Sequence, residues 1–413
     1  MKVLWLSLRV IGEGDARGSC SWLAPLAEGL AATGEIELAN IAQGPVGTRE
    51  RRDAGAIRQW VVPRAAPGSD GTPPAPIVDA VLAAAHEFGP DLIHVWGVEE
   101  YWGLLTARRL LGQPALLEIQ GLKAPLARVY AGGLTLREQR QCRGVKEIVR
   151  RRDIAAARRT FAAWGRFEHE MIAGHRFITT QSPWVQAWAE AANPRARFFH
   201  TELALRGAFY AAAPWAPSSS TTVFCSAAYS IPSKGVHDAV RAFALLKRRV
   251  PEARLRIAGA LPERPGRLKD GYNTWLRRLA VRLGVEASID WLGSLSAEEV
   301  VRELHGCAAV LMPSHCESYS VALAEALYLG APSVCTHSGG PDWLARDDES
   351  ALFFAPGDEV MCAHQLSRLL TDRALATRLS QAARAAAAGR NDIDGIVAGQ
   401  AERYRSVLGA SGV

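Results

Sequence analysis

Apolar and polar positions alternate along this chain in two registers, and the switching between them predicts the fold. Compact apolar runs bounded by Gly, Pro or charged residues read as buried strands. They are MKVLWLSL (1–8), IELANIA (36–42), IRQWVVP (57–63), DLIHVWG (91–97), ALLEIQG (115–121), HRFITTQ (175–181) and RARFFHTE (195–202). Stretches with three-to-four-residue spacing predict helices near 21–33, 76–88 and 183–191, with a longer helical stretch running to about 175. AAAPWAPSSS (211–220) has no periodicity and reads as a linker. The alternation then restarts with strands at 221–227, 253–260, 288–293, 308–314 and 332–336, interleaved with helices near 235–249, 273–284, 296–305 and 321–329. Helices at 363–388 and about 394–408 close the chain. Apolar strands alternating with helices imply parallel sheets covered on both faces. The expectation is α/β, with two Rossmann-like doubly wound domains facing a cleft. Their predicted bounds are 1–210, a linker 211–220, 221–390, and a C-terminal helix 391–413 packing back on the first domain.

Within that pattern, MPSHCESYSVALAEALYLGAPSVCTHSGG (312–340) holds the most pointed chemistry. Glu317 falls in the short polar loop between strand and helix, and Glu325 about one turn inside the helix, which stops at Gly330-Ala331-Pro332. A helix mouth offers backbone N–H groups and the positive end of the dipole, which favour a phosphate. Carboxylates beside such a site suit the hydroxyls of ribose and of a sugar. That pairing points to a nucleotide sugar. Earlier in the same half, Lys234-Gly235 lies between a strand and an amphipathic helix, where an ammonium can reach a diphosphate.

Composition changes the picture only in places. At 413 residues, 48% hydrophobic and 22% charged, the chain reads as a two-domain globular protein. No run approaches the roughly 18–20 apolar residues of a membrane span. The start, with one Lys and a short apolar run before Glu13 and Asp15, reads as a first strand and not as a signal peptide. Seven dispersed cysteines without metal spacing imply reduced thiols in the cytoplasm. The net charge of +6 is concentrated between Arg137 and Arg159, where nine basic residues stand against three acidic ones. That stretch reads either as a solvated helix face or as a peripheral contact with an anionic membrane at its inner face. Without interleaved aromatic residues it does not read as a nucleic-acid site.

Taken together, Lys234-Gly235, the E-x7-E of Glu317 and Glu325, GAPSV (330–334) and Gly339-Gly340 resemble the retaining glycosyltransferases of group 1, a family-4-like group with the GT-B fold. PDLIHVWG, LEIQGL, RFEHE, QSPWVQ and FFHTELALRGAFY extend the resemblance into the first half. It implies a metal-independent hexosyltransferase of polysaccharide biosynthesis, without a cofactor. The donor would be a nucleoside-diphosphate sugar, and the acceptor a saccharide or lipid-linked glycan held by the N-terminal domain. By the same resemblance Lys234 holds the diphosphate together with the backbone of Ser318, Tyr319 and Ser320. Glu317 lies against the donor sugar, Glu325 binds ribose, and Gly339 and Gly340 border the nucleotide. Gly18-Ser19, in a glycine loop after the first strand, would let a sugar or phosphate approach the backbone.

The chain departs from the family pattern in three places. Tyr229 and its neighbours stand where an Arg normally precedes the lysine, Asp342 precedes the usual acidic slot taken by Trp343, and Gln120 replaces a histidine. Two other readings therefore compete, a transferase-like nucleotide or glycan-binding partner without activity and a nucleotide-sugar epimerase. His94 reads as a core histidine or a cleft residue. His200, Glu202 and Arg206 read as a substrate-side or hinge cluster. Gly12-Glu13-Gly14 with Gly18 imitates a dinucleotide fingerprint, but no acidic residue ends the second strand. Asp392-Ile393-Asp394 imitates a metal motif yet sits where a helix begins, and reads as a cap.

Overall fold

The strands form where β-branched, aromatic and leucine side chains run together, because only a surface buried on both faces can take them. The computed structural model describes residues 1–12, 22–226, 231–259 and 270–411. The chain divides into two compact units, Met1–Ala124, Ala163–Arg206 and Asn391–Val413 in the first, Pro125–Ala162 and Gly207–Arg390 in the second.

The first unit is built on β1 (Lys2–Ser7), β2 (Glu37–Gly44), β3 (Glu50–Arg51), β4 (Arg58–Pro63), β5 (Leu92–Trp96), β6 (Ala115–Glu118), β7 (Phe177–Thr180) and β8 (Arg197–His200). Their order is β3-β4-β2-β1-β5-β6-β7-β8, parallel throughout except for the short antiparallel β3. Successive strands run one way from β1 through β2 to β4 and the other way from β1 to β5. The point of reversal lies between β1 and β5, and open α/β sheets bind ligands outside the carboxyl ends of the strands there. The C-terminal helix Ile393–Ser411 packs into this unit, where Trp5 Nε1 donates to Tyr404 Oη at 2.9 Å.

The second unit orders its strands β11-β10-β9-β12-β13-β14, all parallel. These are β9 (Thr222–Ser226), β10 (Arg254–Ala258), β11 (Ile289–Gly293), β12 (Ala309–Met312), β13 (Ser333–Thr336) and β14 (Leu352–Phe354). Counted within the unit, this is the 3-2-1-4-5-6 order of a dinucleotide-type sheet, with reversal between β9 and β12. Its core joins Val223, Cys225, Phe243, Leu255, Leu311 and Val334 to Leu134 and Cys142 from the earlier segment.

Some elements differ from the sequence reading. The long helical stretch before 175 is four helices, Lys123–Val129, Leu136–Gln141, Val145–Arg150 and Ile154–Gly174. Gly132 (φ 59) and Gly133 (φ 76) turn the chain between the first and second, and Arg151 (φ 50) ends the third, since left-handed residues cannot continue a helix. The helix read at 363–388 is two, Glu359–Thr371 and Arg373–Arg390, divided at Asp372, whose carboxylate accepts from Leu375 N at 2.9 Å. β3, β14 and the helix Gly207–Ala211 carry too few residues to show a period.

Candidate functional site

Lys234 and Glu317 stand in the loops that leave the two strands flanking the reversal point of the second sheet, Lys234 after β9 and Glu317 after β12. Beyond β9 the described chain resumes at Ile231 and turns through a 3-10 segment, Pro232–Lys234, into the helix Val236–Leu246. Gly235 joins them at φ 68, and a Cβ there would lie 2.0 Å from the Pro313 carbonyl oxygen. Only glycine allows both the left-handed turn and that approach. His315 N donates to Ser233 O at 2.7 Å, so the loops after β9 and β12 are tied by backbone as well. The outcome is that Lys234 Nζ donates to Glu317 Oε1 at 2.6 Å, although 83 residues separate them. Both side chains keep part of their surface open, 27% for Lys234 and 14% for Glu317.

Glu317 is held by its backbone, its N–H donating to Ser338 O at 2.9 Å and its carbonyl accepting from Gly340 N at 2.8 Å. A Cβ on Gly340 would lie 2.5 Å from both N and Cα of Tyr319, so this crossing also requires glycine. Gly339 adopts φ 108 and its N–H is accepted by Asp342 Oδ2 at 3.1 Å. Asp342 thus braces the double-glycine turn, and Trp343 beside it is exposed. Ser318 and Tyr319 lead into Ser320, a left-handed residue (φ 81) that gives no side-chain cap to the helix Val321–Leu329. Glu325 lies in that helix at 2% exposure. Cys316 is no nucleophile here, because burial pushes its thiol up to about 12.

Behind the lysine turn lies a group absent from the sequence reading. His315 Nε2 and Asp238 Oδ2 are 2.7 Å apart, and His237 Nε2 is 3.4 Å from Asp238 Oδ1. Among the described residues this is the one trio whose ligand atoms gather closely, all within 4.8 Å. The hydrogen bonds argue for a brace. His237 Nε2 is 2.7 Å from Gly132 O, which can only accept, so Nε2 carries the proton and Nδ1 accepts from Tyr272 Oη at 2.7 Å. Burial lowers the His237 pKa and keeps the ring neutral. The sequence signal was the His-Asp pair directly after Lys-Gly-Val.

In the first unit the loop after β5 carries Glu99, beside the reversal point. Its Oε2 has no contact with solvent and no hydrogen-bond partner, although the residue as a whole is half-buried. Burial raises its pKa to about 7; Lys123 opposes the shift and Glu168 adds to it. Glu168 accepts from the backbone N–H groups of Lys123 and Ala124, the latter at 2.8 Å, while Lys123 Nζ donates to the Glu99 carbonyl. Sequence reasoning passed over this cluster; the consecutive acids of Gly97-Val-Glu-Glu at a strand end were the available signal.

The remaining expected residues scatter. His94 is fully buried in β5, with Nδ1 2.8 Å from Tyr404 Oη, so it is a core histidine inaccessible to an acceptor. Gln120 is half-buried just beyond β6, and Arg206 is half-buried at the end of the unit. His200 Nε2 and Glu202 Oε1 are 2.7 Å apart, and Arg403 Nη1 donates to His200 O at 3.2 Å. Gly18, Ser19 and Tyr229 lie outside the described residues. Asp392 caps a helix, its Oδ2 accepting from Gly395 N at 2.7 Å. No helix among the described residues is long and apolar enough to cross a membrane.

Residues 213–386 match the family described as Glycosyl transferases group 1. A glycogen synthase of Mycobacterium tuberculosis is 32% identical over 151 residues, 37% of this chain and 34% of that protein. A D-inositol 3-phosphate glycosyltransferase of Salinispora arenicola is 30% identical over 181 residues, 44% of this chain and 40% of the relative. The chain thus spans about a third of the length of the curated relatives it matches. Among solved structures, sucrose-phosphate synthase from Thermosynechococcus elongatus superimposes with a TM-score of 0.76 at 16% identity, covering 99% of both chains. Anabaena Alr3699/HepE in complex with UDP and glucose gives 0.70 at 18% identity, over 98% of this chain and all of that one. At such identities the likeness is one of fold, and that fold is GT-B.

Proposed function

We propose, from the membership of residues 213–386 in glycosyl transferases group 1, that this protein is a retaining, metal-independent glycosyltransferase. It moves a sugar from a nucleoside-diphosphate sugar to a saccharide or lipid-linked glycan. What carries the reading is the Lys234–Glu317 pair, 2.6 Å apart, in the loops outside the two strands that flank the reversal of a 3-2-1-4-5-6 sheet. In the reaction the bond between the anomeric carbon and the diphosphate oxygen breaks, and its electron pair leaves with the nucleoside diphosphate. The acceptor hydroxyl oxygen bonds to the same face of that carbon, and its proton passes to the departing phosphate oxygen. Lys234 has two N–H donors left beyond the one given to Glu317, and they neutralise the charge developing on the diphosphate. Glu317 accepts from donor-sugar hydroxyls and Glu325 from ribose, while the backbone of Ser318, Tyr319 and Ser320 and the bare Cα atoms of Gly339 and Gly340 admit the phosphates and base. Gln120, His200, Glu202 and Arg206 serve the acceptor side, while Gly18 and Ser19 let the donor's sugar or phosphate approach the backbone.

A panel of UDP-, GDP- and ADP-sugars with saccharide acceptors tests the proposal. The expected result is acceptor-dependent release of nucleoside diphosphate, together with a glycoside that keeps the donor's anomeric configuration. Formation of an epimerised nucleotide sugar, or binding without turnover, would replace the reading with one of its two competitors. Glu325→Gln is expected to weaken nucleotide binding by about tenfold, the cost of one charge-assisted bond to a buried carboxylate.

A further inference from the structure

Of the segment 125–162 of the second unit the site draws on Gly132 alone, whose carbonyl accepts from His237, and the rest presents a surface of uncommon composition. Of the ten large apolar side chains that stand exposed among the described residues, Leu136, Val145, Ile148 and Val149 fall within this one stretch. They are 71%, 63%, 66% and 69% exposed. A solvated helix face would carry polar residues at those positions, and clustered exposed apolar groups mark an interaction surface.

The side chains point outward because the opposite face is fastened down. Gln141 Oε1 accepts from Trp275 Nε1 at 3.1 Å and Lys146 Nζ donates to Asp270 Oδ2 at 2.9 Å. Cys142 is buried in the unit's core.

Beside the apolar groups runs a groove of about 290 Å³ lined by Arg143, Ile148, Arg151 and Arg159, with Glu147 and Asp153. Its carboxylates are occupied. Asp153 Oδ2 accepts from Arg143 Nε at 2.7 Å and its Oδ1 from Ala156 N at 2.8 Å; Glu147 Oε2 accepts from Gly144 N at 3.0 Å. Glu138, the third acid of the stretch, pairs with Arg241 at 2.6 Å. Among the described residues Arg150, Arg151, Arg152, Arg158 and Arg159 form no ion pair. Ile148 belongs both to the exposed apolar group and to the groove, so the two features adjoin.

We propose that this surface docks on a membrane containing anionic phospholipid. Leu136, Val145, Ile148 and Val149 enter the boundary between headgroups and acyl chains, and the groove between Arg151 and Arg159 takes a lipid phosphate. Guanidinium groups match phosphate oxygens in pairs, and apolar insertion next to a cationic rim is the physics of interfacial binding. The occupant follows from charge and polarity together, since arginines without ion pairs beside exposed apolar side chains match the phosphate and acyl layers of an anionic bilayer surface. The proposal gives a lipid-linked acceptor a reason to be within reach, but it stands or falls separately from sugar transfer.

The test uses the full chain in sedimentation with vesicles of phosphatidylcholine alone and of phosphatidylcholine with about a third phosphatidylglycerol, at low and high salt. Binding is expected to the anionic vesicles only, weakening as salt rises. Arg151→Glu with Arg159→Glu is expected to lower partitioning at least about tenfold, from about fivefold per basic residue at such a surface. Ile148→Ser with Val149→Ser is expected to lower it severalfold, including at high salt where charge is screened. All four positions are on the surface, so unfolding midpoints and nucleotide binding should stay at wild-type values. Anionic vesicles that fail to bind the wild type would overturn the proposal, and so would double variants that bind as well as it. Displacement of bound protein by a nucleic-acid duplex at equal charge, with the serine variant unaffected, would assign the surface to nucleic acid instead.

Discussion

Replacing Glu99 with Gln is expected to remove a pH-dependent loss of stability. The Glu99 carboxyl is enclosed so closely that a Cβ on Gly97 would lie 2.3 Å from its Oε2 and one on Gly121 2.6 Å from its Oε1. Its Oε2 has no hydrogen-bond partner, and burial raises the pKa from the ordinary 4.5 to about 7. Below pH 4.5 the folded and unfolded chains both hold this proton. Between 4.5 and 7 the unfolded chain has released it and the folded chain has not, so stability falls as pH rises, then levels off above 7. At about 1.4 kcal/mol per pH unit, the loss is about 3 kcal/mol. The amide of Glu99→Gln stays neutral throughout, and the variant keeps the bond from Lys123, which goes to the residue 99 carbonyl. Urea unfolding read by tryptophan fluorescence, from pH 5 to 8.5, should show variant and wild type diverging by about 2.5 kcal/mol toward alkaline pH. Parallel curves would refute the argument, because they would mean that the folded carboxyl titrates where the unfolded one does.

The second unit and a buried histidine supply the other predictions. Lys234→Ala should lower kcat by about 10²–10³ while raising the donor KM much less, as expected of a group acting on transition-state charge, with partial recovery in Lys234→Arg. Steady-state kinetics separates this from a binding defect; a change confined to KM would remove the catalytic role. Gly235→Ala should cost more than about 2 kcal/mol in chemical denaturation, because φ 68 and a Cβ 2.0 Å from Pro313 O act together. Ser320→Gly should instead stabilise by roughly 0.5–1 kcal/mol, since it relieves a left-handed serine (φ 81). His175, donating to Met171 O at 2.6 Å, has its pKa lowered by burial from 6.5 to about 4. The stability linked to it is present above pH 6.5 and lost on acidification toward pH 4, by about 3 kcal/mol. His175→Gln should flatten that limb of a pH series of thermal melts.

Much of the architecture was legible because strand and helix periods are local properties. The apolar runs of β1, β5, β9 and β12 and the Gly330 stop needed no tertiary information. Loop geometry was not legible in the same way. Arg151 ends a helix through a left-handed φ of 50, which its neighbours in sequence do not announce. Nor did spacing reveal that Asp342, displaced by one position from the family pattern, holds Gly339 N–H.

The sequence by itself determined that two sets of alternating strands and helices would form. It also determined that Lys234, Glu317 and Glu325 would stand at strand ends and a helix mouth, because residue type and period act over a few neighbours. Only the tertiary structure decided which strands flank each reversal point, since strand order depends on packing between elements far apart in the chain. That order brings Lys234 to Glu317, buries His94 against Tyr404 and takes Glu99 Oε2 out of solvent, while the ties from Gln141 to Trp275 and from Lys146 to Asp270 leave Leu136, Val145, Ile148 and Val149 facing outward. Proximity and desolvation set what each group can do, and neither is a property of the residue alone.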